Sequence, residues 1–246
     1  HIITAAITSV QNLTKCVRSI GIDIDDLVME PLASAEAVLT PEEKQDGVLM
    51  ADIGGGTTDL ALFKDNTIYH TSVLPVAGYQ VTRDISVGLG LSYELAEEMK
   101  KKYGNVTPDN GNKGGKEISI TQDGHSVSYS DLSEIISVRV EELLRLILLE
   151  LPQSDRASLI PAGLVITGGG ANLPGIAELG EKVARMPVRL GKPVRLFGVS
   201  DALDNPAYAT GVGLLLWKLH NRDAETSQSK ERGLRHFLAR MLRLAR

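Results

Sequence analysis

The sequence predicts an α/β fold, and three observations carry that expectation. Two apolar runs each lead into a glycine triplet: Val48-Leu-Met50 before Gly54, Gly55 and Gly56, and Leu164-Val-Ile166 before Gly168, Gly169 and Gly170. A third run, Leu60-Ala-Leu-Phe63, follows the first triplet closely enough to return as a second strand. Around these runs, apolar residues recur at the three- and four-residue spacing of helices.

Taken in order, residues 1–46 read as strand, helix, short strand and helix. Cys16 sits among Leu13, Val17 and Ile20 on one helix face, which makes it a core residue rather than a nucleophile. The two strands around Gly54 to Gly56 lead into a hairpin across Lys64-Asp65-Asn66. Leu91 to Gly104 has helical spacing. Asn105 to Gly115, rich in Asn, Gly and Lys, reads as a surface loop, followed by a hairpin around Asp123-Gly124. Asp131-Leu-Ser-Glu134 offers a capping-box-like start to a long helix. Leu132, Ile135, Ile136, Val140, Leu143, Leu144 and Ile147 form its broad buried face. A helix follows the second triplet from about Ile176, and another lies near 206–220.

A chain of 246 residues can bury a large core in one or two domains. Its 43% hydrophobic and 23% charged residues are ordinary for a soluble α/β protein. The single cysteine excludes an internal disulfide framework and suits a reducing compartment. Five scattered histidines lack metal-ligand spacing, so no zinc site is expected. No signal peptide and no run of about 18 apolar residues is present, so no transmembrane helix is expected.

The chemistry sits at the glycine triplets. Without Cβ atoms, a phosphate can approach the backbone and several N–H groups can point at it. At the first triplet, Asp52 ends the strand and offers a carboxylate to Mg²⁺, through water because Mg²⁺ keeps much of its hydration shell. Thr57 and Thr58 add hydroxyl donors. No Gly-Lys-Ser/Thr follows, which separates this turn from the lysine-bearing P-loop. Taken singly, the first triplet reads equally well as a hairpin turn; two triplets in one chain suggest two faces of one nucleotide site. Between them Glu97 and Lys100 share a helical face, three residues apart, a pattern that by itself reads as a solvated charged surface.

These residues resemble a known family. Asp52-Ile-Gly-Gly-Gly-Thr-Thr-Asp59 is similar to the second phosphate loop of the actin, heat-shock-chaperone and sugar-kinase ATPases, and Thr167-Gly-Gly-Gly-Ala171 to their adenosine loop. Within that superfamily the order of motifs resembles FtsA, the actin homologue of bacterial cell division. His1-Ile-Ile-Thr-Ala5, Glu30-Pro-Leu-Ala33, Val76 to Ile85, Ala96-Glu-Glu-Met-Lys100, Gly163 to Gly170, Pro187-Val-Arg189 and Asn205 to Leu214 carry the likeness, over essentially the whole chain up to about residue 220.

The resemblance implies an actin-like (ribonuclease H-like) two-lobe ATPase fold with ATP and Mg²⁺ as cofactors. It assigns Asp52 to the metal, and Gly54, Gly55, Gly56, Thr57 and Thr58 to the β- and γ-phosphates, with Gly78 in the same cofactor-binding set. Glu97 and Lys100 fall where relatives contact ribose and base, and Gly168, Gly169 and Gly170 line the adenosine pocket. Glu30, just before Pro31, takes the catalytic position that orients the attacking water, for at most a slow ATPase. Residues 1–46 and the helix 206–220 are then what remains of a first lobe, and 47–205 form the second. No phosphate loop precedes residue 50, where the family carries one, so the chain is expected to be the C-terminal part of a longer protein with an incomplete first lobe. The implied partners are FtsZ, the cytoplasmic face of the membrane at the division septum, and further copies of the chain in filaments. Another ATPase of the superfamily (a chaperone or sugar kinase) and a PilM-like pilus-assembly scaffold are the rival readings.

Charge carries a second signal. The whole chain stands at −5, but residues 230–246 hold six Lys/Arg against one Glu, so the rest stands at −10. Residues 221–232 read as a flexible linker, and 233–246 as an amphipathic helix. Leu234, Phe237, Leu238, Met241 and Leu242 lie along one face, with Arg235, Arg240 and Arg243 beside it. A basic amphipathic helix on a tether reads as an anchor for an anionic membrane surface. A partner-binding helix or one docked on its own core are the alternatives, and the acidic body argues against nucleic acid.

Overall fold

The computed structural model describes residues 4–107, 117–119, 126–151, 159–194 and 203–220. Its centre is a five-stranded sheet in the order β3-β2-β1-β6-β7, formed by β1 (Val48–Ile53), β2 (Thr58–Lys64), β3 (Thr67–Leu74), β6 (Leu164–Thr167) and β7 (Val188–Leu190). β1, β2 and β3 run antiparallel, whereas β6 pairs parallel with β1 and β7 parallel with β6. A parallel return needs a long crossover, here α4 (Gly78–Leu89), α5 (Tyr93–Tyr103), a small hairpin of β4 (Glu117–Ser119) and β5 (Ser126–Ser128), and α6 (Tyr129–Leu149). The turn expected around Asp123-Gly124 and most of the loop 105–115 lie outside the described residues, as do the linker and anchor of 221–246.

Every residue of β1 is buried because helices cover both faces of the sheet. Successive side chains point to opposite faces: Leu49, Ala51 and Ile53 enter the core under α4, α5, α6 and α7 (Ile176–Ala184). Val48 and Met50 enter a second core with α2 (Glu30–Val38) and the helical residues 209–220. By the same alternation Asp52 belongs to the second face, which decides its partners. The expected buried face of α6 is confirmed, with Leu132, Ile136, Leu144 and Ile147 below 2% exposed. The hairpin across Lys64-Asp65-Asn66 is also present, with Asp65 and Asn66 both at positive φ, as tight hairpin turns require.

Three expectations are corrected. The short strand between the first two helices is absent: residues 22–29 pair with neither sheet edge, β3 or β7, and a helix the sequence reading omitted, α3 (Pro41–Asp46), follows α2. Cys16 is exposed on α1 (Ile7–Ser19), which buries none of its residues. An apolar stripe is buried only against a second apolar surface, and no described residue covers this one. Finally, α6 begins at Tyr129 rather than after Asp131. The Ser128 hydroxyl accepts from the Asp131 N–H at 3.4 Å and leaves Asp131 in the first turn, where the helix dipole favours a carboxylate.

Candidate functional site

Parallel pairing of β1 with β6 sets Asp52 beside Thr167. The two glycine turns therefore leave the sheet side by side at the carboxyl ends of neighbouring parallel strands, where α/β sheets form their ligand crevices. Between them opens a cleft of about 490 Å³, within the range of small-ligand sites. Gly54, Gly55, Gly78, Glu97, Lys100, Gly169 and Gly170 of the expected set line it, joined by Lys101, Asn172, Leu173, Pro174 and Ala207.

The glycines differ in what they do. A Cβ on Gly168 (φ +84°) would stand 2.3 Å from Asp52 Oδ1, and one on Gly170 would stand 2.4 Å from Ile53 Cγ2. Both are required by the way the second turn rests on the end of β1. A Cβ on Gly55, Gly56 or Gly169 would meet nothing within 4 Å. The chain's own packing does not demand glycine there, so the bare backbone leaves room for a ligand group. The Gly78 N–H donates to Gly54 O at 3.1 Å and the Tyr79 N–H to Gly55 O at 2.7 Å, tying the start of α4 to the first turn. Thr57 is exposed beside the glycines, whereas Thr58 is buried and donates its hydroxyl to Val76 O at 2.8 Å. Thr58 thus does not bring a hydroxyl to the cleft, because as the first residue of β2 its side chain turns into the core.

Carboxylates gather at the strand ends. Asp52, only 5% exposed, accepts at Oδ2 from Ser34 Oγ at 2.6 Å and from Thr210 Oγ1 at 3.3 Å. Asp59 stands opposite Asp52 in the β1–β2 register and accepts from Thr57 Oγ1 at 3.1 Å. Burial pushes the Asp52 carboxyl above its ordinary range; the Ser34 and Thr210 bonds oppose that, and the Asp59 charge adds to it. Glu30, in the first turn of α2, is raised by partial burial first and then by the Asp59 and Asp52 charges. Three acids sharing one field would repel phosphate unless a cation stands between them. Among the described residues no group of three His, Cys, Asp or Glu side chains could hold a metal directly. A cation here would have Asp52 and Asp59 as its nearest carboxylates, and Mg²⁺ needs only one or two beside its retained waters.

At the far wall, Lys100 Nζ lies 2.7 Å from Glu97 Oε2, 3.0 Å from Gly78 O and 2.8 Å from Thr82 Oγ1. Lys101 reaches Glu97 Oε1 at 3.1 Å. Burial alone would raise the Glu97 carboxyl, but hydrogen bonds from Lys100, Thr82 and Lys101 outweigh it and hold the group at about 2. A depressed carboxyl stabilises the fold fully above its ordinary value of 4.5 and loses that contribution as pH falls through about 2. In acid titrations followed by urea unfolding, the stability difference between the chain and Glu97→Gln is expected to shrink steadily below pH 4.5; a pH-independent difference would contradict this.

Sequence reasoning missed Asp59, Ser34, Thr82 and Thr210. Asp59 was legible, since a hairpin closing on Gly54 to Thr57 sets it opposite Asp52. Ser34 and Thr210 come from helices 176 residues apart in sequence, with no local signal at either.

The chain's likenesses agree with this geometry. The family model described as Cell division protein FtsA matches residues 49–213. The Cell division protein FtsA of Pseudomonas aeruginosa is 42% identical over 233 residues, covering 93% of this chain and 56% of its own length. That of Bacillus subtilis is 37% identical over 89% of this chain and 49% of its own, and that of Escherichia coli K12 is 35% identical over 87% and 54%. The chain spans about half the length of the curated relatives it matches. Among solved structures, MreB5 of Spiroplasma citri bound to AMPPNP superposes with a TM-score of 0.72 over 91% of this chain and 68% of that one, at 19% identity. The PilM–PilN type IV pilus biogenesis complex gives 0.60 over 84% and 56%, at 23% identity. At these identities the likeness shows the fold alone, and that fold is actin-like.

Proposed function

The chain belongs to the FtsA family of cell-division proteins, and on that premise we propose that it binds Mg²⁺–ATP in the cleft between its glycine turns and tethers FtsZ to the cytoplasmic face of the membrane at the septum. The observation that carries the nucleotide half is the cleft lined by Gly54, Gly55, Gly169 and Gly170 on one side and the Glu97–Lys100 pair on the other, where a Cβ on Gly55 or Gly169 would meet nothing within 4 Å. The solved relative MreB5 holds AMPPNP.

Bound Mg²⁺–ATP supplies a polyanion, a divalent charge and a hydrolysable phosphate bond. Gly55, Gly56 and Thr57 present backbone N–H groups to the phosphates, while Gly54 closes the turn by donating its own N–H to Thr57 O at 2.9 Å and the Thr57 hydroxyl donates to Asp59. Asp52 and Asp59 hold the cation's water shell, and Glu30 orients a water for slow hydrolysis. Glu97 accepts from a ribose hydroxyl, with Leu173, Pro174 and Ala207 as the apolar cover of the base and Lys100 fixing Glu97 in place.

The tethering half rests on the family and on residues 233–246. Arginines near an anionic leaflet contribute about 1 kcal/mol each, and a fully buried large apolar side chain roughly 1.5–3 kcal/mol, less at an interface. Ordering the helix offsets much of that gain, so one tail binds reversibly. Several tails on a filament bind firmly through effective concentration.

Co-sedimentation tests the proposal: the full chain is expected to carry FtsZ down with anionic liposomes when Mg²⁺–ATP is present. Phe237→Glu is expected to abolish liposome binding while leaving ATP binding intact. FtsZ left in the supernatant, or an unaffected Phe237→Glu variant, would refute the tether.

A further inference from the structure

Thr82 does not line the open cleft. It is fully buried on α4, and its hydroxyl sits where three chemistry-bearing groups meet. Lys100 Nζ donates to it at 2.8 Å, Gly78 O lies 3.1 Å away, and Glu97 Oε2 is its shortest contact. A threonine has one proton to donate. Of its two acceptors, the ionised Glu97 oxygen is both closer and stronger than the Gly78 carbonyl, which also receives the Lys100 ammonium at 3.0 Å, so the Thr82 proton goes to Glu97.

The two Glu97 oxygens are thereby made unequal. Oε2 is held from behind by Thr82 and Lys100, both in buried or nearly buried positions. Among the described residues Oε1 meets the ammonium of Lys101 alone, whose side chain is 72% exposed and free to swing away. An ionised carboxylate accepts only. With Oε2 occupied, the oxygen left for a ligand in the cleft is Oε1, and it recognises a hydroxyl donor. All three Lys100 protons are already taken by protein oxygens, so that lysine fixes the wall rather than reaching outward.

Resting on the nucleotide reading above, we infer that Thr82 is a positioning residue which aims Glu97 at a sugar hydroxyl and so sets the preference for ribonucleotides over deoxyribonucleotides. A valine at position 82 keeps the β-branched shape and removes the proton. Glu97 then gains freedom to rotate, and its bond to the sugar loses direction.

The test is equilibrium binding of ATP, 2′-deoxyATP and 3′-deoxyATP, each with Mg²⁺, to the full chain, to Thr82→Ser and to Thr82→Val. The unsubstituted chain is expected to prefer ATP over at least one deoxy analogue by about tenfold to a hundredfold, the range of a hydrogen bond to a charged group. Thr82→Ser keeps that ratio, and Thr82→Val reduces it to within about threefold of unity. A merely structural role would weaken all three ligands together and leave the ratios unchanged, and that result overturns the inference alone. Failure of the unsubstituted chain to bind ATP removes the nucleotide reading and this inference with it.

Discussion

Asp52→Asn is expected to make the ligand-free chain more stable at neutral pH while it weakens Mg²⁺–nucleotide binding. The carboxylate is almost entirely buried, faces Asp59 across the β1–β2 ladder, and is held above its ordinary range chiefly by burial. A carboxyl whose folded value lies above its unfolded one binds its proton more tightly in the native state. Its ionisation therefore costs stability as pH rises from the unfolded value of 3.8 through the raised one. The cost grows with pH and is larger at pH 7 than at pH 4. Asparagine keeps the shape and removes the charge, and its amide oxygen still accepts from Ser34 and Thr210.

The expected gain is about 0.5–2 kcal/mol, the usual result of relaxing a functional compromise, or roughly 2–4 °C in Tm per kcal/mol for a chain of this size. Binding of Mg²⁺–ATP is expected to weaken by at least about tenfold, since a charged partner to the cation's water shell is lost. Denaturant unfolding at pH 4 and pH 7 separates the contributions: the gain should be larger at pH 7. A destabilised variant with unchanged nucleotide affinity would mean that Asp52 is a structural acid and no part of a cation site.

The same residue shows what the sequence could and could not supply. The strand–glycine–strand pattern around Asp52 is local, and so is its hairpin partner β2, because an antiparallel return needs only a short turn. Parallel β6 lies more than a hundred residues downstream, yet its own glycine triplet made it legible. Glu97 and Lys100 were placed on one face by helical spacing alone, and their ion pair follows. α3 carried a readable signal that went unused: Thr40-Pro-Glu-Glu43 is a capping box with proline at the first helical position. The two hydroxyls on Asp52 had no such signal. Ser34 reaches it because α2 covers the face to which even-numbered β1 residues point, and Thr210 because the last described helix packs beside α2. Those facts belong to tertiary packing. Cys16 marks the opposite failure, where a sound helical period gave the stripe and could not say what lies against it.

That packing supports a second large expected effect, in which two glycines of one helix respond in opposite directions. Residues 209–220 are helical and include Gly211 and Gly213. A Cβ on Gly211 would meet nothing within 4 Å, whereas one on Gly213 would stand 1.8 Å from Ala33 O and 2.4 Å from Ala33 C, both backbone atoms of α2. Alanine in an exposed helical position is better than glycine by about 1 kcal/mol, so Gly211→Ala is expected to stabilise the chain by up to that amount. Gly213→Ala brings the same propensity gain but forces two helix backbones apart, and no rotamer change can relieve a clash with a carbonyl. Overpacking of this kind costs roughly 1–3 kcal/mol or more, so a net loss is expected. The displacement also acts on the site, because Thr210 lies one turn before Gly213 and its bonds to Ser34 and Asp52 hold at 3.0 and 3.3 Å. Gly213→Ala should therefore reduce Mg²⁺–ATP affinity, whereas Gly211→Ala leaves it alone. If both variants gained stability, the close approach of the helix 209–220 to α2 would be wrong, and with it the shared grip of the two helices on Asp52.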